Sequence, residues 1–257
     1  MMHVIRVMTK LLIKEIFRKK YFYVALILGG VIVVYASGLK FYNVSKISGY
    51  LLETGSTLVF WFSAILTVSL AARQYPAEKE SKTLEVLLAK PVSRFEFLIS
   101  KWAGSFAAGS AAFLLFFAAF LAVASARMEG FPWGVVFETG FLFLLALMVL
   151  SAMASALSYY LTVSANVTLT LLLFLIMGTY GDSLKSAGES LVFPARLACT
   201  VFYYGLPHFE FFDMRQRLVH AWGPVPLWLI AALAVYAVLY TAFFLAAAWM
   251  GFRRRTL

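Results

Sequence analysis

Charged side chains are mixed with leucines between residues 78 and 94, in a stretch that separates two long apolar segments. Its sequence is EKESKTLEVLLAKPVSR. Such side chains can form ion pairs and hydrogen bonds in water, but one charge at the centre of a bilayer costs roughly 2.5 to 3.5 kcal/mol or more. We therefore expect this stretch to project from a membrane into water, where a soluble partner can bind it.

The first part of the stretch predicts a short amphipathic helix. Leu84, Leu87 and Leu88 are spaced to form one apolar face, and the charged residues lie elsewhere on the helix. Pro91 ends this helix, because proline has no amide donor and restricts the residue before it. The leucine face is the part of the helix that a partner protein would cover.

A second, longer helix is predicted to begin near Arg94. Ser93 and Glu96 have the spacing of a capping box, in which each side chain accepts a hydrogen bond from the other residue's backbone amide. The helix would run into the next apolar segment for about 33 residues, or ~50 Å. Because that length exceeds the bilayer core, its first turns should stand in water beside the short helix.

The composition identifies the chain as an integral membrane protein. Hydrophobic residues make up 63% of the sequence and charged residues 13%, with a mean hydropathy of +0.86. The predicted fold is all-α, with residues 1–257 forming a single transmembrane domain of six spans. The predicted spans are Tyr21–Leu39, Ser56–Ala72, Ala103–Ala126, Val136–Leu161, Val167–Tyr180 and Val225–Phe252.

The distribution of charge predicts that both termini are cytoplasmic. In this orientation 15 of the 22 basic residues and 5 of the 12 acidic residues lie inside, and their difference equals the formal net charge of +10. The hairpin of residues 73–102 is then cytoplasmic as well. The basic balance therefore reflects membrane orientation and anionic lipid, and no nucleic-acid partner is expected.

Residues 4–20 are predicted to form an interfacial helix before the first span. Arg6, Lys10, Lys14 and Arg18 recur every four residues, and apolar side chains gather on another face. A basic amphipathic helix of this kind lies in the headgroup layer. A plain extension of the first span is the alternative.

The spans themselves offer few groups for chemistry. Small residues at Gly29-Gly30, in the stretch 104–111 and in the stretch 151–158 favour close packing of helices in lipid. Ionisable residues are almost absent, and Glu138 lies at an outer edge. Proton and ion relays place carboxylates or histidines deep in the bilayer, so this pattern argues against a transporter that runs on an ion gradient.

The long outer segment, residues 181–224, contains an aromatic stretch at 202–215 that should lie on or dip into the outer leaflet. Its polar residues include His208, Glu210, Asp213 and His220. Their spacing matches no standard metal site, and we expect an interfacial structural element without a metal. The single cysteine, Cys199, excludes an internal disulfide and a cysteine-based zinc cluster.

The charged hairpin resembles the first cytoplasmic loop of type-2 ATP-binding cassette permeases. The resemblance lies in the pattern E-x-E-x-x-T-L-E-x-L-L-x-x-P-x-S-R followed by Lys101. Six spans, a basic N-terminal helix and an elaborate outer segment before the last span are similar too. Within that family, LPHFEFFD at residues 206–213 resembles a segment of permeases from the copper-enzyme-maturation branch (nitrous oxide reductase assembly and relatives).

The resemblance implies an exporter in the cell inner membrane, built from two permease subunits and driven by a separate cytoplasmic ATPase. Each permease, most simply as a homodimer, would offer its 78–90 helix to an ATPase subunit, which would bind ATP and Mg. A periplasmic partner fits the same resemblance. The residues implied in ATPase coupling are Glu78, Glu80, Ser81, Thr83, Leu84, Glu85, Leu87, Leu88, Pro91 and Arg94, and those implied in supporting the hairpin are Ser93, Glu96 and Lys101.

The chain is not expected to hydrolyse ATP or to bind a cofactor directly. Its sequence has no G-x-x-x-x-G-K-[ST] phosphate-binding loop. An intramembrane enzyme is one alternative, although G-x-S-x-G and H-E-x-x-H motifs are absent as well. A membrane scaffold without an ATPase partner is another. The sequence leaves the transported substrate open, and import is not excluded.

Overall fold

The computed structural model describes most of the chain as helices. The residues that it describes are 47–80, 93–128, 130–180, 193–220 and 222–253, together with isolated positions between residues 9 and 35 and at 186. This described part contains no strand, which confirms the all-α class. Its helices are α1 (Ile47–Glu80), α2 (Arg94–Ser125), α3 (Trp133–Leu157), α4 (Val163–Thr179), α5 (Phe193–Gly205), a 3-10 turn (Phe209–Phe212), α6 (Arg215–Val219) and α7 (Leu227–Arg253).

Four of these helices, α1, α2, α3 and α7, are long and apolar enough to cross a membrane. They correspond to the second, third, fourth and sixth predicted spans. The fifth corresponds to α4, an apolar helix of 17 residues. Most of Tyr21–Leu39 and of the interfacial helix at 4–20 lies outside the described residues, so the count of six spans stays a prediction.

Helix α1 is longer than the predicted second span. It continues past Ala72 and through Pro76 to Glu80, and so reaches into the charged hairpin. Proline leaves one backbone carbonyl without its helical donor, but alanine, glutamate and lysine are good helix formers and follow directly. Glu78 and Glu80 thus lie in the last described turn of α1, and the predicted 78–90 helix stays a prediction because residues 81–90 lie outside the described residues.

Helix α2 begins as predicted. The Ser93 hydroxyl accepts a hydrogen bond from the Glu96 amide at 3.1 Å, and a Glu96 carboxylate oxygen accepts one from the Ser93 amide at 3.0 Å. This capping box starts a helix of 32 residues. The local sequence pattern thus correctly predicted both the first residue of α2 and its approximate length.

The boundaries of the fourth and fifth spans differ from the prediction. Helix α3 ends at Leu157, not at Leu161, and α4 begins at Val163, not at Val167. The connection contains Tyr159 and Tyr160, whose amphipathic rings suit an end of the bundle. Hydropathy alone does not separate these rings from the apolar residues of a span.

Helices α1, α2 and α3 pack closely around one core. At the contact between α1 and α2, a Cβ atom on Gly109 would overlap the Thr67 side chain, so only glycine allows this approach. On α3, Leu142, Ala146 and Leu147 are fully buried. Ala108, Ser151 and Ala154, three of the small residues that the sequence assigns to helix packing, are fully buried as well.

The helix bundle has two ends, each formed by the ends of several helices and their connections. The end of α1, the start of α2, the turn between α3 and α4 and the end of α7 meet at what we call the hairpin end. The other end, the outer-segment end, holds the start of α7, where the Val225 amide donates to the Glu138 carboxylate at 2.9 Å. Glu138 thus lies at the edge of the bundle, as its sequence position suggested.

Candidate functional site

The predicted ATPase-coupling site is described at its two margins. Glu78 and Glu80 end α1, and the residues from Ser93 to Lys101 begin α2. The intervening coupling residues lie outside the described residues, and their roles stay predictions. They are Ser81, Thr83, Leu84, Glu85, Leu87, Leu88 and Pro91.

An ion pair joins the two margins. The Lys101 ammonium group of α2 donates to a carboxylate oxygen of Glu78 in α1, and the side chains are 12% and 14% exposed. The same ammonium group lies 5.5 Å from the centre of the Phe97 ring. Because neither charge is freely hydrated, loss of one of the two side chains would leave the other charge in a place with little water. Lys101 therefore joins the two margins of the hairpin, and Glu78 has a partner within its own chain.

Arg94 ties the start of α2 to the end of α7. One terminal nitrogen of its guanidinium group donates to the backbone carbonyls of Phe252 and Arg253, each at 3.3 Å. The guanidinium carbon also lies 5.6 Å from the centre of the Phe252 ring. A cation at a helix C-terminus is favourable, because the last carbonyls lack helical donors. Sequence pattern did not predict this contact, because Arg94 lies more than 150 positions from Phe252 and Arg253.

Four aromatic rings, which we call the foot cluster, fill the space behind these polar contacts. The centres of Tyr75 and Tyr159 are 4.4 Å apart, those of Tyr159 and Phe252 are 5.3 Å apart, and those of Phe97 and Phe252 are 5.8 Å apart. Each residue is at most 6% exposed. Aromatic pairs add about 0.5–1.5 kcal/mol beyond their buried area, so the cluster joins α1, α2, α7 and the α3–α4 turn firmly.

The foot cluster is an apolar environment for a phenol. Burial raises the pKa of the Tyr159 hydroxyl well above its usual value, and the neighbouring Tyr75 adds to the shift. The hydroxyl therefore stays neutral across the physiological range of pH. No change of charge on Tyr159 disturbs the packing at this end of the bundle.

Polar side chains continue the connection between helices away from the foot cluster. The Trp102 indole of α2 donates to the Ser151 hydroxyl of α3 at 3.0 Å. The buried Asn166 amide of α4 donates to the Ala154 carbonyl of α3 at 2.8 Å. Each bond satisfies groups that would be costly to bury alone. Helices α2, α3 and α4 are thereby linked near the hairpin end.

At the opposite end, the outer segment packs into the bundle. Phe209 and Phe212 of the 3-10 turn are each 1% exposed, and the Phe209 ring lies 5.0 Å from that of Phe174 in α4. The Tyr236 hydroxyl of α7 accepts a hydrogen bond from the His208 amide at 2.9 Å. These two phenylalanines therefore face protein, whereas Phe211 is exposed as an interfacial position requires.

The polar residues of the outer segment make separate contacts. His208 packs against Tyr203 and Phe211, with ring centres 4.3 and 5.4 Å away. Asp213 binds the guanidinium group of Arg215 through both carboxylate oxygens, at 2.8 and 2.5 Å. His220 packs against Trp222 instead. The arrangement of these side chains is that of a packed structural element.

One comparison with known proteins identifies a relationship over nearly the whole chain. A family model described as "ABC-2 family transporter protein" matches residues 5–257. The match includes the charged hairpin, the foot cluster and the outer segment. No curated protein matches the chain.

Proposed function

The chain belongs to the ABC-2 family of transporter proteins, and we propose that it is the permease of an exporter driven by a separate ATPase bound to its 78–90 segment. Membership of the family makes it a membrane component of a transporter and not itself the catalytic part. ATP and Mg would then be bound by the cytoplasmic ATPase, because the chain has no phosphate-binding loop.

The foot cluster and its polar contacts support this proposal most strongly. The two margins of the hairpin are joined by the pair of Glu78 and Lys101, and Arg94 connects them to the end of α7. Four buried rings add the α3–α4 turn to the same unit. A displacement of the hairpin by a partner would therefore move several helices together, because packed interiors do not deform continuously.

The proposal includes the larger assembly. Two copies of this chain, each with six spans and cytoplasmic termini, would pair in the inner membrane, and each copy would bind one ATPase subunit. Closure of the ATPase dimer on ATP would move both hairpins, and the transport path would open between the permeases. A periplasmic partner and a place in the copper-enzyme-maturation branch remain predictions from the outer segment at residues 206–213.

The test is a comparison of two double variants with equal changes of charge. Leu84→Asp/Leu88→Asp places two carboxylates on the predicted leucine face, and Val86→Asp/Ala89→Asp places two on the opposite face. The permease is purified from native membranes in mild detergent, and bound ATPase is measured by ATP photolabelling and Mg-dependent hydrolysis. We expect the first variant to lose about tenfold or more of the bound ATPase, because buried apolar anchors dominate interfaces.

The outcome separates the proposal from its alternatives. Equal retention in wild type and both variants would show that the ATPase binds elsewhere on the chain. Absence of an ATPase from the wild-type preparation would contradict the proposal and favour an intramembrane enzyme or a scaffold. Loss from both variants, with normal behaviour on gel filtration, would show that the leucine face has no special role.

A further inference from the structure

Arg215 of the outer segment uses all three of its guanidinium nitrogens in hydrogen bonds, and one of these bonds reaches α1. Two of them donate to the Asp213 carboxylate, and the third donates to the Thr57 hydroxyl of α1 at 2.7 Å. The guanidinium carbon also lies 5.1 Å from the centre of the Phe60 ring, again on α1. Asp213 thus fixes the orientation of Arg215, and Arg215 in turn contacts one face of α1.

These contacts lie over a small cavity between α1, α2 and α3. Its volume is about 20 Å³, and Arg215 forms part of its wall together with Ser56, Phe117 and Thr139. The side chains of Asp213 and Arg215 are only 20% and 22% exposed. Arg215 is the one lining residue that comes from the outer segment, and Asp213 holds it in place there.

Helix α1 carries the other half of this contact and also the margin of the hairpin. Thr57 lies near its beginning and Glu78 near its end, within one helix of 34 residues. The separation of 21 residues corresponds to about 31 Å along the helix. A shift of the whole of α1, Pro76 included, would move Thr57 together with Glu78, because both residues belong to this helix.

We propose that Asp213 and Arg215 form a latch that holds the outer segment closed on α1 and opens when α1 moves. The latch is suited to this task because a guanidinium fork has fixed geometry, and its hydrogen bonds weaken steeply with misalignment. A small displacement of Thr57 therefore removes the bond to α1 while the pair within the outer segment persists. The proposed opening by ATP rests on the proposed function, whereas closure of the cavity by Arg215 does not.

The test measures access to the cavity with a cysteine that lies on neither latched element. In a Cys199→Ala background, Thr139→Cys places a thiol on α3 in the cavity wall. Its rate of reaction with a membrane-impermeant maleimide is measured in the purified protein in nanodiscs. The variants are Thr57→Val, which removes only the acceptor on α1, and Arg215→Gln. The matched control is Arg217→Gln, which loses the same charge but interrupts a bond to the Gly223 carbonyl within the outer segment.

We expect both latch variants to raise the labelling rate about tenfold or more over the control, the effect expected for loss of a charge-assisted hydrogen bond. Equal rates in Thr57→Val, in the control and in the unaltered protein would overturn the latch even if Arg215→Gln failed to fold. In the complex with the ATPase, ATP should raise the labelling rate of Thr139→Cys when Thr57 and Arg215 are unaltered, and it should change that rate little when Thr57→Val is also present. An ATP response of the same size in both would disprove coupling through this contact. If no ATPase binds, the proposed function fails, and the labelling of the permease alone still decides whether Arg215 closes the cavity.

Discussion

Lys101 and Glu78 lie where α1 and α2 meet the charged hairpin, and both side chains are largely buried. Lys101→Met keeps the length of the side chain and leaves the Glu78 carboxylate in a place with little water. We expect the free energy of unfolding to fall by about 1–3 kcal/mol, measured by thermal or denaturant unfolding in detergent.

The double variant Glu78→Gln/Lys101→Met provides the control for that measurement. It removes both charges, so no carboxylate remains in this place with little water, and most of the lost stability should return. If the loss of unfolding free energy in the double variant equalled the sum of the losses in Lys101→Met and Glu78→Gln, a direct interaction between these side chains would be contradicted.

Arg94 gives a second prediction at the scale of one residue. Arg94→Lys keeps the charge but loses the planar guanidinium group, one nitrogen of which binds the carbonyls of Phe252 and Arg253 while the group lies over the Phe252 ring. We expect faster hydrogen exchange of the last turn of α7, read by mass spectrometry. The control is Arg196→Lys, because Arg196 is exposed on α5. Unchanged exchange in Arg94→Lys would show that the contact does not stabilise this end.

At the scale of the element, the approach of α1 and α2 depends on the absence of a side chain at Gly109. Gly109→Ala would push a methyl group into the β-branched, stiff Thr67 side chain. Overpacking of this kind costs about 1–3 kcal/mol, so the melting temperature should fall. The second-site change Thr67→Ala should recover much of the loss. Gly134→Ala in α3 is the matched control, because a Cβ there meets nothing within 4 Å.

The elements differ in how far sequence predicted them. The start of α2 follows from Ser93 and Glu96, two residues three positions apart, and such local signals survive in the fold. The foot cluster could not be predicted, because Tyr75, Phe97 and Phe252 come from distant parts of the chain and aromatic residues are frequent throughout it. Tyr159 was predicted to lie within a span, because hydropathy does not distinguish a tyrosine that packs against protein from one in a membrane span.

At the scale of the whole molecule, hydropathy predicted the all-α class and the positions of the long helices, but not their neighbours. Lipid-facing and protein-facing residues are both apolar in a membrane protein, so periodicity distinguishes them poorly. Leu142 of α3 is fully buried, for example, whereas Phe141 beside it is 47% exposed. Sequence analysis also did not predict the contact of Arg215 with α1, because Thr57 lies 158 residues away in the chain.

The whole molecule should not hydrolyse ATP without its partner. The membrane component of a transporter has no catalytic part of its own in this family, and the sequence has no phosphate-binding loop. Permease purified to homogeneity should release phosphate from Mg-ATP at the rate of buffer alone. Hydrolysis that follows the permease through every purification step, with no copurifying ATPase, would contradict this prediction.

Helix α4 has a consequence for the surrounding bilayer. Its 17 residues extend only about 26 Å, which is a few ångströms less than the hydrocarbon thickness of about 30 Å. The helix nevertheless has contacts towards both ends of the bundle, where Asn166 binds the Ala154 carbonyl and Phe174 packs on Phe209. Leu169, Leu172 and Leu175 are turned outward along it. Such hydrophobic mismatch costs a fraction of a kcal/mol per ångström. As the predicted fifth span, α4 should thin the leaflets beside it, so that we expect this flank of the protein to favour lipids with short acyl chains.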